Sequence, residues 1–155
     1  MGGNQSKKKR ADDTDVDEDP KLWGNKFDAL IQSPKGRNVF KNFCEENSLS
    51  DAKNCINLWI ICESYNKESK GEQRIKILEP LISKYLTPGE EEEVACVDAK
   101  TISKIKTCKG NNSAPVDLLK EVQQQIETQL SRDKTYEEFL KSDMYKELVN
   151  STKIA

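Results

Sequence analysis

From about residue 22 onward, apolar residues recur at intervals of three and four positions. Trp23, Phe27, Leu30 and Ile31 have this spacing, which places them on one face of a helix. Similar stripes follow at Cys55, Leu58, Trp59, Cys62 and Tyr65; at Ile75, Leu78, Leu81, Ile82 and Tyr85; and at Leu119, Val122, Ile126 and Leu130. No useful stretch alternates with the period of two that is typical of strands. The pattern predicts an all-α, multi-helix bundle, with Trp59 as a core residue.

Helix start signals divide this pattern into elements. Ser33-Pro34 predicts an N-cap followed by proline at the first helical position, and Asp98 predicts the cap of a helix containing Ile102 and Ile105. Further predicted helix starts are Ser50, the capping boxes Thr87–Glu90 and Thr135–Glu138, Pro115, and Ser142 before a short last helix. Pro80 is expected to kink a helix or to begin a second one.

The domain organisation follows from these elements. We expect a tail over residues 1–20, a helical domain over 21–150 and a short C-terminal tail over 151–155. The chain has 155 residues, which suits one domain with its own hydrophobic core. Hydrophobic residues make up 35% and charged residues 34%, so the surface is densely charged.

The composition argues against catalysis by this chain alone. Histidine is absent, which removes the usual general base at neutral pH and the commonest zinc ligand. We find no glycine-rich phosphate-binding loop and no H-E-x-x-H metal motif. We expect no metal, no cofactor and no nucleic-acid partner.

The five cysteines form no C-x-x-C pair. They are Cys44, Cys55, Cys62, Cys96 and Cys108. Most are predicted to be buried by a helix, so we interpret them as reduced thiols that pack as small hydrophobic side chains.

The N-terminal ten residues have the pattern of a membrane-targeting segment. The sequence fits M-G-x-x-x-[ST], in which Gly2 receives a myristoyl chain after Met1 is removed. One such chain binds membranes with an association constant of only about 10⁴ M⁻¹. The basic residues Lys7, Lys8, Lys9 and Arg10 supply a candidate second signal toward an anionic membrane.

An acidic stretch over residues 12–19 follows and is expected to reduce this attraction. We therefore expect weak or regulated attachment to the cytoplasmic face of a membrane, the plasma membrane first, with a cytosolic pool. The alternative is a solvated tail that matches the pattern by chance. No run of apolar residues approaches the roughly 20 that span a bilayer.

Several segments resemble the RGS (regulator of G-protein signalling) family. They are Phe27–Ile31, Gly36 with Val39–Phe43, Leu58–Tyr65 (which resembles the F-W-x-x-C-E-x-Y helix), Val97-Asp98 with Thr101 and Ile105, Val122-Gln123 with Ile126, and Tyr136–Leu148. Together they cover roughly residues 22–149. The resemblance implies a fold of about nine helices that binds an activated Gα subunit at its switch regions and accelerates GTP hydrolysis.

Such a protein is a GTPase-activating protein and not itself an enzyme. Gα already holds an arginine and a glutamine that orients water, and the partner stabilises them in their transition-state arrangement. A chain without histidine is compatible with that role. Tethering is also compatible with it, because acylated Gα is concentrated on membranes.

The resemblance also implies candidate Gα-binding residues. The family's main switch-contacting asparagine lies four residues before the tryptophan, where this chain has Cys55, with Asn54 one position earlier. A second family asparagine matches Asn111. The family's aspartate before its last capping region matches Asp133, and its supporting arginine is Glu138 here, a reversal of charge.

Two functions remain open at this point, and a third lacks support. The first is a membrane-tethered activator of GTP hydrolysis by Gα, favoured by Asn111, Asp133 and the complete fold. The second is an RGS-like scaffold that binds Gα or another signalling protein without accelerating hydrolysis, favoured by Cys55 and Glu138. A standalone enzyme has no supporting constellation of residues.

Overall fold

A computed structural model describes residues 19–154 of the chain, and side chains over 19–151. Within these residues the structure has nine α-helices: α1 Pro20–Trp23, α2 Phe27–Gln32, α3 Pro34–Glu46, α4 Ser50–Lys67, α5 Gly71–Tyr85, α6 Ala99–Gly110, α7 Lys120–Arg132, α8 Lys134–Lys141 and α9 Asp143–Ile154. The described part of the chain has no strand. The predicted all-α fold class is confirmed.

The chain divides into two compact units. The first, which we call the aromatic unit, consists of the described residues before Leu49 and after Leu130, with α1, α2, α3, α8 and α9. The second, which we call the amide unit, consists of residues 49–130, with α4, α5, α6 and most of α7. The domain limits expected from the sequence stay a prediction.

The aromatic unit is built around Phe139 of α8, which is fully buried. Its ring lies 5.3 Å from that of Phe40, 5.5 Å from Phe43 and 5.2 Å from Tyr145, measured between centroids. The Phe40 and Phe43 contacts are edge-to-face, the geometry that the quadrupoles of aromatic rings favour. The helix α3 supplies both Phe40 and Phe43, since residues three positions apart lie on the same face of a helix.

The start of α3 is confirmed as predicted. Ser33 is the N-cap, and its hydroxyl oxygen accepts a hydrogen bond from the Gly36 backbone N–H at 2.9 Å. Gly36 also allows a close backbone approach, because a Cβ atom there would lie 2.5 Å from the carbonyl oxygen of Leu30. The short turn between α2 and α3 therefore depends on a residue without a side chain.

In the amide unit, α4 is the central buried helix. Leu58, Trp59, Cys62 and Tyr65 are almost completely buried, which confirms the predicted stripe and the core position of Trp59. The helix α5 runs through Pro80 without a second start, and Pro80 itself is exposed. No helix among residues 19–154 is long and apolar enough to cross a membrane.

One predicted helix is absent. Thr87–Glu90 does not cap a helix, because residues 86–98 form a series of turns that we call the 86–98 segment. Gly89 has a φ of 89°, a left-handed conformation that ends a helix rather than starting one. The Thr87 hydroxyl donates back to the carbonyl of Ile82 at 2.8 Å and so serves the end of α5.

Three other starts are displaced along the sequence. Ser50 is the first residue of α4 rather than its cap, and α7 begins at Lys120, since Pro115 begins a turn closed by the Leu118 N–H. The cap of α8 is Asp133, whose carboxylate accepts from the Thr135 N–H at 3.3 Å, so Thr135 is inside the helix. Asp98 and Ser142 accept hydrogen bonds from the first turns of α6 and α9, as predicted.

Candidate functional site

Asn54 and Cys55, the first two candidate partner-binding residues, lie on α4 and are both buried. The exposed fractions of their side chains are 8% and 6%. The Asn54 amide nitrogen donates to the carbonyl oxygen of Glu91 at 3.4 Å, which connects α4 to the 86–98 segment. Asn54 therefore positions this segment and presents little polar surface of its own.

The Cys55 thiol is in hydrogen-bond contact with the thiol of Cys96 in the 86–98 segment. This contact lowers the pKa of Cys96, and the partial burial of Cys96 opposes the effect. The neighbours Val94 and Val97 are buried and hold Cys96 against the unit, while Cys96 itself is half-buried. The sequence does not indicate this pair, because 40 residues separate the two cysteines along the chain.

Cys96 is one of the residues that line an open depression of about 410 Å³. Polar side chains from α7, including Gln125 and Glu121, line it together with Asp98. The Gln125 amide oxygen accepts from the Asp98 N–H at 2.9 Å, and its nitrogen donates to the Asp98 carboxylate at 3.1 Å. Hydrogen bonds lower the pKa of Asp98, and those from Thr101 have a larger effect than the one from Gln125.

Asn111 lies at the other end of α6. It follows Gly110 as the C-cap, and its N–H donates to the carbonyl of Thr107 at 3.0 Å. Asn112 then takes a φ of 57°, a left-handed conformation that asparagine tolerates. A helix of this length spans about 18 Å at 1.5 Å per residue, so exposed Asn111 is far from Asp98 and the Cys96 depression.

A network of side-chain amides fixes α4 against α7. The amide nitrogen of Gln123 donates to the Trp59 carbonyl at 3.3 Å and to the Glu63 carboxylate at 3.0 Å, while its oxygen accepts from Asn66 at 2.8 Å. The Trp59 indole N–H donates to Glu127 at 2.8 Å. Four polar contacts therefore set the orientation of the helix that carries Asn54 and Cys55.

The loop before α7 is anchored in a similar way. The Tyr65 hydroxyl donates to the carbonyl of Pro115 at 2.6 Å, and Arg74 donates to the carbonyl of Ala114 at 2.7 Å. The Arg74 guanidinium also lies 6.0 Å from the centre of the Tyr65 ring, within the range of a cation–π contact. These bonds fix the course of the chain just after Asn111.

Asp133 and Glu138 belong to the aromatic unit. Asp133 is half-buried as the cap of α8, and its charge adds to the burial that raises the pKa of Cys44 to about 12. Glu138 is exposed on α8 and does not form the capping box predicted with Thr135, because the helix begins one residue before Thr135. Asp133 therefore caps α8, which is the role that the sequence predicted for Thr135.

The candidate membrane-binding residues lie outside the described residues. They are Gly2, Lys7, Lys8, Lys9 and Arg10.

Comparison with known proteins agrees with this architecture. Axin-1 of Xenopus laevis is 26% identical over 129 residues, which cover 81% of this chain and 15% of Axin-1. Regulator of G-protein signaling 20 of Bos taurus is 29% identical over 142 residues, which cover 86% of this chain and 34% of that protein. Regulator of G-protein signaling loco of Drosophila melanogaster is 27% identical over 132 residues, 85% of this chain and 8% of loco.

The chain thus spans about a third or less of the length of these curated relatives. The family model that describes the regulator of G protein signaling domain matches residues 26–148, from just before α2 into α9. This match includes most of the chain and eight of its nine described helices. The chain belongs to the regulator of G protein signaling domain family.

Proposed function

We propose that this chain binds the switch regions of an activated Gα subunit and accelerates its hydrolysis of GTP. The observation that carries the proposal is the family match over residues 26–148, a range in which the structure has eight α-helices and no strand. Two relatives named as regulators of G-protein signaling support the same role.

The mechanism requires a rigid surface rather than a catalytic residue. Interactions that are stronger in the transition state than in the ground state accelerate the chemical step. A partner that holds the switch regions of Gα in the transition-state arrangement supplies such interactions, provided that its own surface does not have to reorganise. The amide network around Gln123 and the Tyr65 and Arg74 anchors give the amide unit this rigidity.

Single-turnover GTP hydrolysis by a panel of Gα subunits, with and without the full chain, tests the proposal. We expect at least one subunit to be accelerated by about tenfold or more, which corresponds to about 1.4 kcal/mol of transition-state stabilisation. Asn111→Ala should reduce the acceleration, because Asn111 is exposed at a predicted contact position. Asn38→Ala, on an exposed turn of α3, is the matched control and should leave it unchanged.

A scaffold that binds Gα or another signalling protein without accelerating hydrolysis is the second candidate. It is favoured by the similarity to Axin-1, which is not named as a regulator of G-protein signaling. Cys55 and Glu138 also favour it, since one is buried and the other carries the charge opposite to the arginine implied by the resemblance. Tight binding to Gα in a pull-down, without acceleration on any subunit, would select the scaffold.

The proposal includes a membrane tether at Gly2 that the basic residues 7–10 assist. It rests on the M-G-x-x-x-[ST] pattern and on the adjoining positive charges. Co-expression with an N-myristoyltransferase, followed by flotation with vesicles containing phosphatidylserine, tests it. Gly2→Ala should abolish flotation, whereas Gly3→Ala, the matched control, should retain it. Equal flotation of the two variants would contradict the tether.

A further inference from the structure

The amide unit contains two thiols in contact, on elements far apart in the sequence. Cys55 is on α4 and Cys96 is in the 86–98 segment, and their side chains are hydrogen-bonded to each other. The Asn54–Glu91 hydrogen bond connects the same two elements one residue away from Cys55. The two thiols are therefore held together by the fold, and not by neighbouring positions on one helix.

The two thiols differ in access to solvent in a way that suits sequential oxidation. Cys96 is half-buried and lines the open depression of about 410 Å³, whereas the side chain of Cys55 is only 6% exposed. A small oxidant can therefore reach Cys96 more readily than Cys55, which is almost completely buried. By contrast Cys44 and Cys62 are fully buried, and burial raises the pKa of both thiols, which disfavours the reactive thiolate.

We infer that Cys96 and Cys55 form a modification site for a hydroperoxide, in which Cys96 is oxidised first and Cys55 closes an intramolecular disulfide. An accessible thiol is in contact with a protected one, and the neighbouring Asn54–Glu91 hydrogen bond holds the 86–98 segment in place.

The chemistry balances with hydrogen peroxide as the oxidant. The Cys96 thiol first loses its proton, and the thiolate attacks one peroxide oxygen. The O–O bond breaks, the leaving hydroxide takes up that proton, and the products are a sulfenic acid at Cys96 and water. The Cys55 sulfur then attacks the Cys96 sulfur, and the hydroxyl leaves as a second water with the Cys55 proton. Both sulfurs lose one electron each, and the peroxide takes up the two electrons.

Intact mass and peptide mapping of the full chain, after brief exposure to low hydrogen peroxide and alkylation of remaining thiols, test the inference. We expect the loss of two hydrogen atoms, a Cys55–Cys96 cross-linked peptide, and full reversal by dithiothreitol. Oxidation at Cys108, the other half-buried cysteine, without a Cys55–Cys96 cross-link would overturn the inference. This wild-type measurement does not depend on any variant folding.

Single-cysteine variants distinguish Cys96, the thiol that is oxidised first, from Cys55, the thiol that closes the disulfide. In Cys55→Ser we expect no cross-link and a sulfenic acid at Cys96 that dimedone traps, because the resolving thiol is gone. In Cys96→Ser we expect Cys55 to remain reduced, and in Cys108→Ser, the matched control, the cross-link should form as in the wild type. A cross-link that persists without Cys96, or a dimedone adduct on Cys55 of the wild type, would contradict the assigned order.

A second readout rests on the proposed function. Because Cys55 is at a predicted Gα-binding position, we expect the disulfide to lower the acceleration of GTP hydrolysis, and dithiothreitol to restore it. A chain that forms the disulfide but accelerates hydrolysis in neither state contradicts the proposed function and leaves the modification site intact. A chain that accelerates hydrolysis but never forms the disulfide contradicts only the modification site.

Discussion

The two units of this domain are stabilised by different chemistry. The aromatic unit packs rings against rings, with Phe139 touching three others, and its tyrosine hydroxyls donate to backbone carbonyls. The amide unit also has an apolar core, but side chains of α7 add hydrogen bonds that link distant segments, through Gln123 and Gln125. The stability of packed rings depends mainly on the volume that the side chains fill. The stability of an amide network depends on the direction of each hydrogen bond.

This difference has a consequence for function. A helix held by apolar contacts alone can rotate or slide slightly at low cost, but one held by several directed hydrogen bonds has a defined orientation. In the amide unit the helix with that constraint is α4, which carries Asn54 and Cys55. The directed hydrogen bonds thus constrain the helix that carries two of the five candidate partner-binding residues.

Phe139→Ala should cause the largest loss of stability. Removing a fully buried ring leaves a cavity among Phe40, Phe43 and Tyr145, and such changes cost about 3–5 kcal/mol of unfolding free energy. Urea denaturation followed by circular dichroism measures it. Val116→Ala, at a side chain that is 50% exposed, should change the free energy by less than about 0.5 kcal/mol. A similar small change for Phe139→Ala would show that ring packing does not stabilise the aromatic unit.

Gly36→Ala tests whether the aromatic unit also depends on close backbone packing. The added methyl group would lie 2.5 Å from the Leu30 carbonyl oxygen, so the backbone must shift at a cost of about 1–3 kcal/mol. Gly110→Ala is the matched control, because a Cβ atom there meets nothing within 4 Å. We expect the control to be neutral or slightly stabilising, and equal effects of the two substitutions in thermal melts would refute the steric explanation.

Gln123→Met tests the directional chemistry of the amide unit. Methionine has a similar volume but no amide, so Glu63 and Asn66 lose partners in a partly buried site, at a cost of about 1–3 kcal/mol. Urea denaturation measures the loss. Gln124→Met, at an exposed neighbouring position, is the control and should be near neutral. If Gln123→Met is also neutral, volume rather than hydrogen bonding determines stability in both units.

The smallest expected effect concerns the pH dependence contributed by Asp98. Its folded pKa is lowered by hydrogen bonds from Thr101 and Gln125, so its stabilising contribution is present above the unfolded pKa and is lost as pH falls through the folded pKa. Asp98→Asn keeps a capping side chain but removes the titration. We expect the wild type to lose stability relative to the variant in thermal melts as the pH falls below about 4, the ordinary pKa of an aspartate. Parallel pH profiles would contradict the assignment.

The sequence predicts which helices form better than it predicts the residue at which each helix begins. The stripes on α4 and α7 and the caps Ser33 and Asp98 could be predicted because each depends on residues within a few positions. The prediction that Thr87–Glu90 caps a helix was wrong, because Gly89 takes a left-handed conformation that the motif does not specify. Asp133 rather than Thr135 caps α8, since both residue types are good caps and only the backbone distinguishes them.

Less of the candidate site than of the fold could be predicted from the sequence. The burial of Asn54 against Glu91 and the contact of Cys55 with Cys96 both depend on the course of the 86–98 segment. That segment consists of turns without a helical or strand period, so nothing local indicates which residues it brings to α4. Contacts between residues about 40 positions apart arise only from the complete tertiary structure.

The tyrosines of the last two helices determine where a minimal folding unit must begin. The Tyr145 hydroxyl donates to the carbonyl of Pro20 at 2.7 Å, and the Tyr136 hydroxyl donates to the carbonyl of Trp23. Burial raises the pKa of Tyr136 to about 12, so it remains a donor throughout the physiological range. A truncation at residue 26, where the family match starts, would remove both acceptors and the fully buried Trp23 indole. The family match and the packed structure therefore begin at different residues, and we expect a folded fragment to require α1.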